Sequence, residues 1–270
     1  MTESAPPSAT TQLWWGNRTL HEGAVGFWHI GPLRLWIENL AYEWRVHSLQ
    51  GDNPLDDSLE VYLPTDLRAP AEAAVTRFSF SDPGTNISLT PRLADRAIVV
   101  KPEVPFYVPS GGEATLYVTT PLWVELSIRR GAHLGELPSF RPSDTWFGAT
   151  TLVGELCYAS RTVGRLTLEG LQPWPHRAIT PVRVRNRAET PLLLEKVKLP
   201  VQYLSVHASS NAFLWTEQVT LERQEDGDLA DLQVGKLPRQ VGRADKLSSP
   251  RQHAEKNLVV RAFSKLFQVS

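Results

Sequence analysis

Residues 27–37 read FWHIGPLRLWI and residues 42–47 read YEWRVH, and these two stretches decide the fold class. In the first stretch, Gly31 and Pro32 form a break between two segments rich in aromatic and aliphatic side chains. The second stretch alternates large and polar side chains with a period of two, which is the spacing of a half-buried strand. The pair therefore predicts short β-strands that meet at tight turns.

Runs of the same kind continue along the body of the chain. They are LEVYL (59–63), VTRFSF (75–80), NISL (86–89), AIVV (97–100), ATLYV (114–118), LWVELSI (122–128), LVGELCYA (152–159), GRLTL (164–168), PVRVRN (181–186), LLLEKVKL (192–199), VQYLSVHA (201–208), FLWTEQVTLE (213–222) and LADLQV (229–234). Turn residues such as Ser110-Gly111-Gly112 separate nearly every pair. Many short strands with frequent turns favour an all-β fold of β-sandwich architecture over βαβ units.

A long loop at residues 129–145, RRGAHLGELPSFRPSDT, marks a domain boundary, because loops of this length are uncommon inside one compact domain. The expected organisation is a fold of two sandwich-like halves with flanking segments. Its parts are a disordered N-terminus (1–12), a front β-sandwich domain (13–130), a back β-sandwich domain (145–235), a linker (236–253) and a basic amphipathic α-helix (254–267).

The C-terminal helix is predicted from the segment AEKNLVVRAFSKLF, whose apolar residues recur with a helical period. Such a short helix is marginal alone in water, so it must bury its apolar stripe. It either docks on its own sandwich or binds a partner groove or an anionic membrane surface. The candidate partner-binding residues are Leu258, Val259, Arg261, Phe263, Lys265, Leu266 and Phe267.

The charge distribution also indicates that the C-terminal segment contacts an acidic surface. The formal net charge is −1, so no nucleic acid partner is expected. Residues 236–270 nevertheless carry eight basic and two acidic side chains, whereas the rest of the chain carries 20 basic and 27 acidic ones. This split favours an acidic protein partner or peripheral contact with an anionic membrane or a membrane protein, or else contact with the acidic body of the same chain.

The compartment follows from three further features. No stretch approaches 18 uninterrupted apolar residues, and the first dozen residues show neither the basic nor the apolar region of a secretory signal. Cys157 is the single cysteine, so no internal disulfide can form. We expect a cytoplasmic protein, with Cys157 as a buried structural thiol in a strand.

No residue is identified from the sequence as catalytic, cofactor-binding or metal-ligating. No two of the seven histidines have a chelating spacing, and phosphate-binding glycine loops and nucleophile elbows are missing from the sequence. Whether the chain is an enzyme stays open, with a non-enzymatic role favoured. The alternative is a hydrolase or sugar-acting enzyme with a site near the loop 129–145. Its candidate residues are Arg129, Arg130, His133, Glu136 and Asp144.

Nine tryptophans leave a further alternative open. A row of them on one sheet face would make a carbohydrate- or small-ligand-binding module, whereas burial would make them core residues. Trp174, between two prolines, is expected to be the most exposed.

Several segments together resemble a prokaryotic family of proteins of unknown function, first catalogued in archaea, over residues 14–210. The segments are WWG (14–16), IGPLRLWI (30–37), EWRV (43–46), PFYVPSGGEATLYVTTPLWVEL (105–126) and the WFG…VGELCYASRT run (146–162). The family has no assigned activity, so the resemblance implies no catalytic residues. Because such genes can neighbour those of small mechanosensitive channels, it implies at most a membrane-associated partner.

These observations favour a non-enzymatic protein-binding adaptor that uses its basic C-terminal segment. The alternatives are the hydrolase, the carbohydrate or small-ligand module, and a partner of a membrane channel that binds through the C-terminal helix. A homodimer is compatible with unpaired sheet edges.

Overall fold

The computed structural model describes residues 13–128, 131–148, 152–169, 171–172, 174–255 and 258–263. Within them the chain forms 22 strands and two 3-10 turns, Val201–Tyr203 and Arg239–Val241. The first eleven strands are β1 (Gly16–Thr19), β2 (Val25–Ile30), β3 (Leu33–Leu40), β4 (Glu43–Gln50), β5 (Leu59–Tyr62), β6 (Ala74–Ser79), β7 (Asn86–Leu93), β8 (Ile98–Pro102), β9 (Phe106–Val108), β10 (Glu113–Ile128) and β11 (Ala132–Pro138). The others are β12 (Asp144–Phe147), β13 (Glu155–Gly164), β14 (Arg177–Asn186), β15 (Leu192–Leu194), β16 (Val197–Leu199), β17 (Val206–Ser209), β18 (Leu214–Trp215), β19 (Val219–Arg223), β20 (Leu229–Val234), β21 (Ala244–Ser248) and β22 (Leu258–Arg261). The all-β class expected from the sequence is confirmed.

The first sheet is built around residues 27–37 and 42–47, which supply strands β2, β3 and β4. Its five antiparallel strands lie in the order β5-β2-β3-β4-β6. Ile30 pairs with Leu33 across the turn at Gly31 and Pro32, as the break in the sequence predicts. Trp28 in β2 and Trp44 in β4 are fully buried in the main hydrophobic core. Burial of one sheet face accounts for the period-two spacing of the large side chains along a strand.

The largest sheet has eleven strands and is organised around β10. Residues 113–121 of this long strand pair with β14, and residues 122–128 pair with β7 on one edge and β11 on the other. The main hydrophobic cluster contains side chains from both 13–130 and 145–235. β10 thus joins the part of the sheet that contains β14 to the part that contains β7 and β11.

A four-stranded sheet, in the order β12-β13-β8-β16, lies beside the core, and a two-stranded sheet pairs β15 with β9. Ile98 and Val100 of β8 point into the main core, so Val99 and Lys101 point to the other face. β13 pairs with β8 in parallel, with a register irregularity between Ala159 and Val163. This irregularity shapes the candidate site.

The predicted C-terminal helix is wrong. Residues 258–261 form β22, which pairs antiparallel with β20. Val259 and Val260 favour an extended backbone because they are β-branched, and the open edge of β20 supplies the hydrogen bonds that an isolated short helix lacks. Phe263 is 1% exposed and forms a bridge with Val197, so it is a core residue.

Two other segments, predicted as a loop and a linker, contain regular structure. The centre of the loop 129–145 is strand β11. The segment 236–253, interpreted as a linker, contains a 3-10 turn and β21, which pairs with β17. In both cases the strand lies against an existing sheet edge, which compensates for the weak local pattern. The terminus 1–12 lies outside the described residues. No helix in the described part of the chain is long and apolar enough to cross a membrane.

Candidate functional site

A groove of about 470 Å³ opens on the outer face of the four-stranded sheet. Its apolar floor is formed by Val99, Ala159 and Phe147, and the core residue Phe263 lines it as well. Val99 and Phe147 pack in a small cluster with Ala97 and the buried Cys157. The floor is therefore continuous with a small buried cluster of the four-stranded sheet.

Three basic residues form a row across this groove, and we call them the cation row. Arg161 lies in the irregular part of β13, Lys101 lies on the neighbouring strand β8, and Lys196 directly precedes β16. Lys196 lies opposite Lys101, because Val197 is registered with Val100. Arg161 lies in the irregular stretch between two registered pairs, Ala159 with Val99 and Val163 with Lys101. Because adjacent strands are about 4.8 Å apart, the backbone of Lys101 lies about one strand spacing from that of each of the other two cations, with Arg161 on one side and Lys196 on the other.

The cation row has no carboxylate partner among the described residues. All three side chains are exposed, and Arg161 donates to the Ser143 hydroxyl at 3.2 Å rather than to an acid. Asp228 is the one carboxylate among the described lining residues, and it is hydrogen-bonded to Arg261. Like charges opposite each other on adjacent strands destabilise a sheet. The groove therefore presents positive charge that its described surroundings do not balance.

Hydroxyl groups line the wall where β13 is irregular. The Ser160 hydroxyl accepts from the Thr162 backbone N–H at 3.1 Å, and Thr162 Oγ1 donates to the Thr119 carbonyl at 2.9 Å. These bonds hold the irregular backbone in place. Ser160 and Thr162 both line the groove, so they offer polar groups next to Arg161.

A fourth cation lies behind this wall. Arg177 is 3% exposed, and its Nη1 lies 3.5 Å from Thr162 Oγ1. The guanidinium donates to the carbonyls of Thr119 and Pro54, each at 3.3 Å, and its Nε has no hydrogen-bond partner. Burial lowers the pKa of Arg177 to about 10, so it stays charged at neutral pH. No carboxylate of the described chain pairs with it, which is costly for a buried charge.

One end of the floor adjoins a buried thiol and an ion pair. Cys157 is fully buried, as predicted, and burial raises its pKa to about 11. Lys198 is also buried and places Nζ 2.7 Å from both carboxylate oxygens of Glu155. A protonated, inaccessible thiol is a packing group and a poor nucleophile.

The residues proposed for a hydrolase site are spread over separate elements. His133 and Glu136 lie on β11, and Glu136 is paired with Arg251. Asp144 lies on β12, near Arg96. Arg129 and Arg130 lie outside the described residues. The structure does not bring the described members into the groove.

The candidate partner-binding residues also separate. Val259 is 53% exposed, Leu258 is half-buried, Arg261 is bonded to Asp228, and Phe263 is buried. Lys265, Leu266 and Phe267 lie outside the described residues. They were grouped because a helix would place them along one apolar stripe, but residues 258–261 form a strand instead. As contact residues they stay a prediction.

The tryptophans form no exposed row among the described residues. Seven are buried, Trp174 is half-buried, and Trp146 is 46% exposed, so the expectation that Trp174 is the most exposed was wrong. Trp146 rests against Gly154, where a Cβ would lie 2.0 Å from the indole Nε1. Most of these side chains serve the core.

The cation row was missed because its members are far apart in the sequence and each stands alone. Only the pairing of β13, β8 and β16 brings them together. One signal was available: Lys101 and Lys196 each adjoin an apolar strand run, which places a charge at the end of a sheet face.

The fold and the groove together define an all-β protein with a cationic, apolar-floored binding groove. Residues 14–268 match the family described as protein of unknown function, DUF432, and the chain belongs to this family. The family resemblance expected over residues 14–210 is thus confirmed and extends further along the chain. Searches of the curated proteins and of the solved structures found no match.

Proposed function

We propose that this chain is a binding protein whose groove takes a small anionic ligand with an apolar body. The observation that carries the proposal is the cation row of Lys101, Arg161 and Lys196, which has no carboxylate partner in the described chain. The groove volume of about 470 Å³ lies within the range of small-molecule sites.

The two parts of the groove have separate roles in this proposal. The floor of Val99, Ala159 and Phe147 offers apolar contact to the body of the ligand, at roughly 25 cal/mol for each Å² removed from water. The cation row offers charge-assisted hydrogen bonds to its anionic head. The positive charge of the cation row and the apolar floor then favour the same ligand, an anion with an apolar body.

Binding is favoured over catalysis by the chemistry of the lining. Histidine and cysteine do not occur among the described lining residues, and their single carboxylate, Asp228, is occupied by Arg261. General acid–base catalysis most often uses His, Asp or Glu within reach of the substrate, and the two lysines of the groove are exposed to water. This arrangement supports the non-enzymatic role expected from the sequence.

The remaining expectations stand beside this proposal as predictions. They are the organisation as two sandwich halves, the cytoplasmic location, the homodimer and the adaptor role with a protein or membrane-channel partner. An adaptor would offer the same cation row to an acidic segment of its partner, and such a segment would compete with a small anion for the groove.

The test uses 8-anilinonaphthalene-1-sulfonate, which joins an apolar body to one anionic group and fluoresces when it is bound. Native wild-type protein is expected to bind it saturably. The double variant Lys101→Gln/Arg161→Gln should bind about tenfold more weakly, because two charge-assisted contacts are lost.

The matched control is Lys236→Gln/Arg68→Gln, which removes the same charges from exposed positions that do not line the groove. It should bind the dye like the wild type. Equal dye affinity of the wild type and the groove variant would refute the proposal.

A further inference from the structure

We infer that the anionic head of the ligand is a phosphate-type dianion, so that the groove recognises a phosphate monoester on an apolar body. This inference rests on the proposed function and narrows it from anions in general to one class. It follows from the number and placement of the positive charges.

The charge count exceeds what a single negative charge would balance. Lys101, Arg161 and Lys196 lie on or beside three adjacent strands, and Arg177 adds a fourth positive charge from behind Thr162. The only carboxylate among the described lining residues is already paired. A monoanion would leave most of this charge unbalanced, whereas a dianion with three outer oxygens gives the cations separate acceptors.

Arg177 is the strongest indication of this preference. Its guanidinium is buried, is held by two carbonyls and a hydroxyl, and lies 5.7 Å from the centre of the Trp174 ring, so the described protein supplies dipoles and an aromatic face but no carboxylate. The field of such a charge is weakly screened, and it reaches the groove through Thr162. We assign Arg177 the part of a positioning residue, because its guanidinium donates to the Thr162 hydroxyl and so helps to fix the irregular stretch that carries Arg161.

The local backbone supports the same assignment. The irregular stretch between Ala159 and Val163 places Arg161 between the hydroxyls of Ser160 and Thr162. Arginine is a common donor to phosphate oxygens because its guanidinium offers several N–H groups in a planar fork, and Arg161 carries that fork at the irregular stretch. The head group is therefore expected at this irregularity, with the apolar body over Val99.

The experiment compares three ligands with the same ring: phenyl phosphate, benzenesulfonate and benzoate. Calorimetric titrations are run at about pH 8, where a phosphate monoester carries close to two charges. The wild type is expected to bind phenyl phosphate about tenfold more tightly than either monoanion.

The variants separate the contribution of each cation. Lys101→Gln and Lys196→Gln should reduce the phenyl phosphate affinity more than the benzenesulfonate affinity, and Lys236→Gln should change neither. Arg177→Lys should keep most of the preference and Arg177→Met should lose it. Because Arg177→Met removes a buried, hydrogen-bonded group and can fail to fold, the two lysine variants carry the test alone in that case.

The outcomes distinguish this inference from the proposed function. Benzenesulfonate or benzoate binding as tightly as phenyl phosphate would overturn the inference and leave the anion groove standing. Failure of all three ligands to bind would overturn both. Vesicles of phosphatidic acid and phosphatidylcholine in equal parts form a second arm. Sedimentation with these vesicles that free phenyl phosphate reverses would assign the phosphate to a lipid headgroup bound in the groove, whereas tight phenyl phosphate binding without sedimentation would assign it to a soluble ligand.

Discussion

The imidazole of His176 packs directly on Gly31, where a Cβ atom would lie 2.2 Å from Nδ1. Gly31 is in the turn between β2 and β3 with φ of 55°, and His176 immediately precedes β14. The Nε2–H of the same ring donates to the carbonyl of Pro54 at 3.1 Å. This contact joins the five-stranded sheet to the large sheet.

The first prediction follows from this contact. Gly31→Ala should destabilise the protein by at least about 2 kcal/mol, because the methyl group overlaps the buried ring and the backbone is left-handed. Gly23→Ala is the matched control, since Gly23 has φ of 82° and open space around its Cβ position. It should cost about 1 kcal/mol. Urea unfolding measures both, and equal losses would show that the His176 contact contributes nothing.

The second prediction concerns acid stability. Burial, together with the charge of Arg177, lowers the pKa of His176 to about 3, below its ordinary value of 6.5. The unfolded state then binds a proton between these values and the folded state does not. Stability should therefore fall as the pH drops below 6.5, with a slope approaching about 1.4 kcal/mol per pH unit from this residue.

The check compares wild type with His176→Gln between about pH 6.5 and about pH 4 by urea unfolding. The variant should show a shallower slope, whatever its absolute stability. His21→Gln, at an exposed position, should keep the wild-type slope. Parallel curves for wild type and His176→Gln would contradict the assignment of the acid sensitivity to this ring.

The third prediction tests the burial of Cys157. Because the thiol is fully buried with a pKa raised to about 11, a bulky maleimide should label native protein far more slowly than protein in denaturant. Mass spectrometry over time gives both rates. Comparable rates would mean that the outer face of the four-stranded sheet opens readily.

The fourth prediction separates the observed strand from the expected helix. Phe263→Ala should cost about 3–5 kcal/mol, because the ring is buried in the main core. Val259→Ala, on the exposed side of β22, should cost less than about 1 kcal/mol. A helix with its apolar stripe on the protein would make both residues costly to truncate, so similar losses in thermal unfolding would favour the helix.

How far the sequence predicts this fold depends on how local the relevant interactions are. The hairpin at Gly31 and Pro32 was predictable because the turn chemistry and the alternating side chains lie within a dozen residues. The segment 258–263 was not, because its helical spacing was real and the edge of β20, which decides the outcome, comes from elsewhere in the chain. Tertiary pairing overrode the local pattern there.

The candidate site depends on distant interactions throughout. Lys101, Arg161 and Lys196 become neighbours only through the order of three strands. The burial of Arg177 results from its contacts with Thr119 and Pro54, which no spacing rule anticipates. The excess of basic residues was visible in composition only for the C-terminal segment, which drew attention away from the groove.

The central claim, an anion bound over the four-stranded sheet, is tested most directly by backbone amide NMR shifts during titration with naphthalene-1-sulfonate. We expect the largest changes on β8 at Val99 and Lys101, on β13 from Ala159 to Val163, and at Lys196. Changes centred on the five-stranded sheet, or none at saturating ligand, would contradict it.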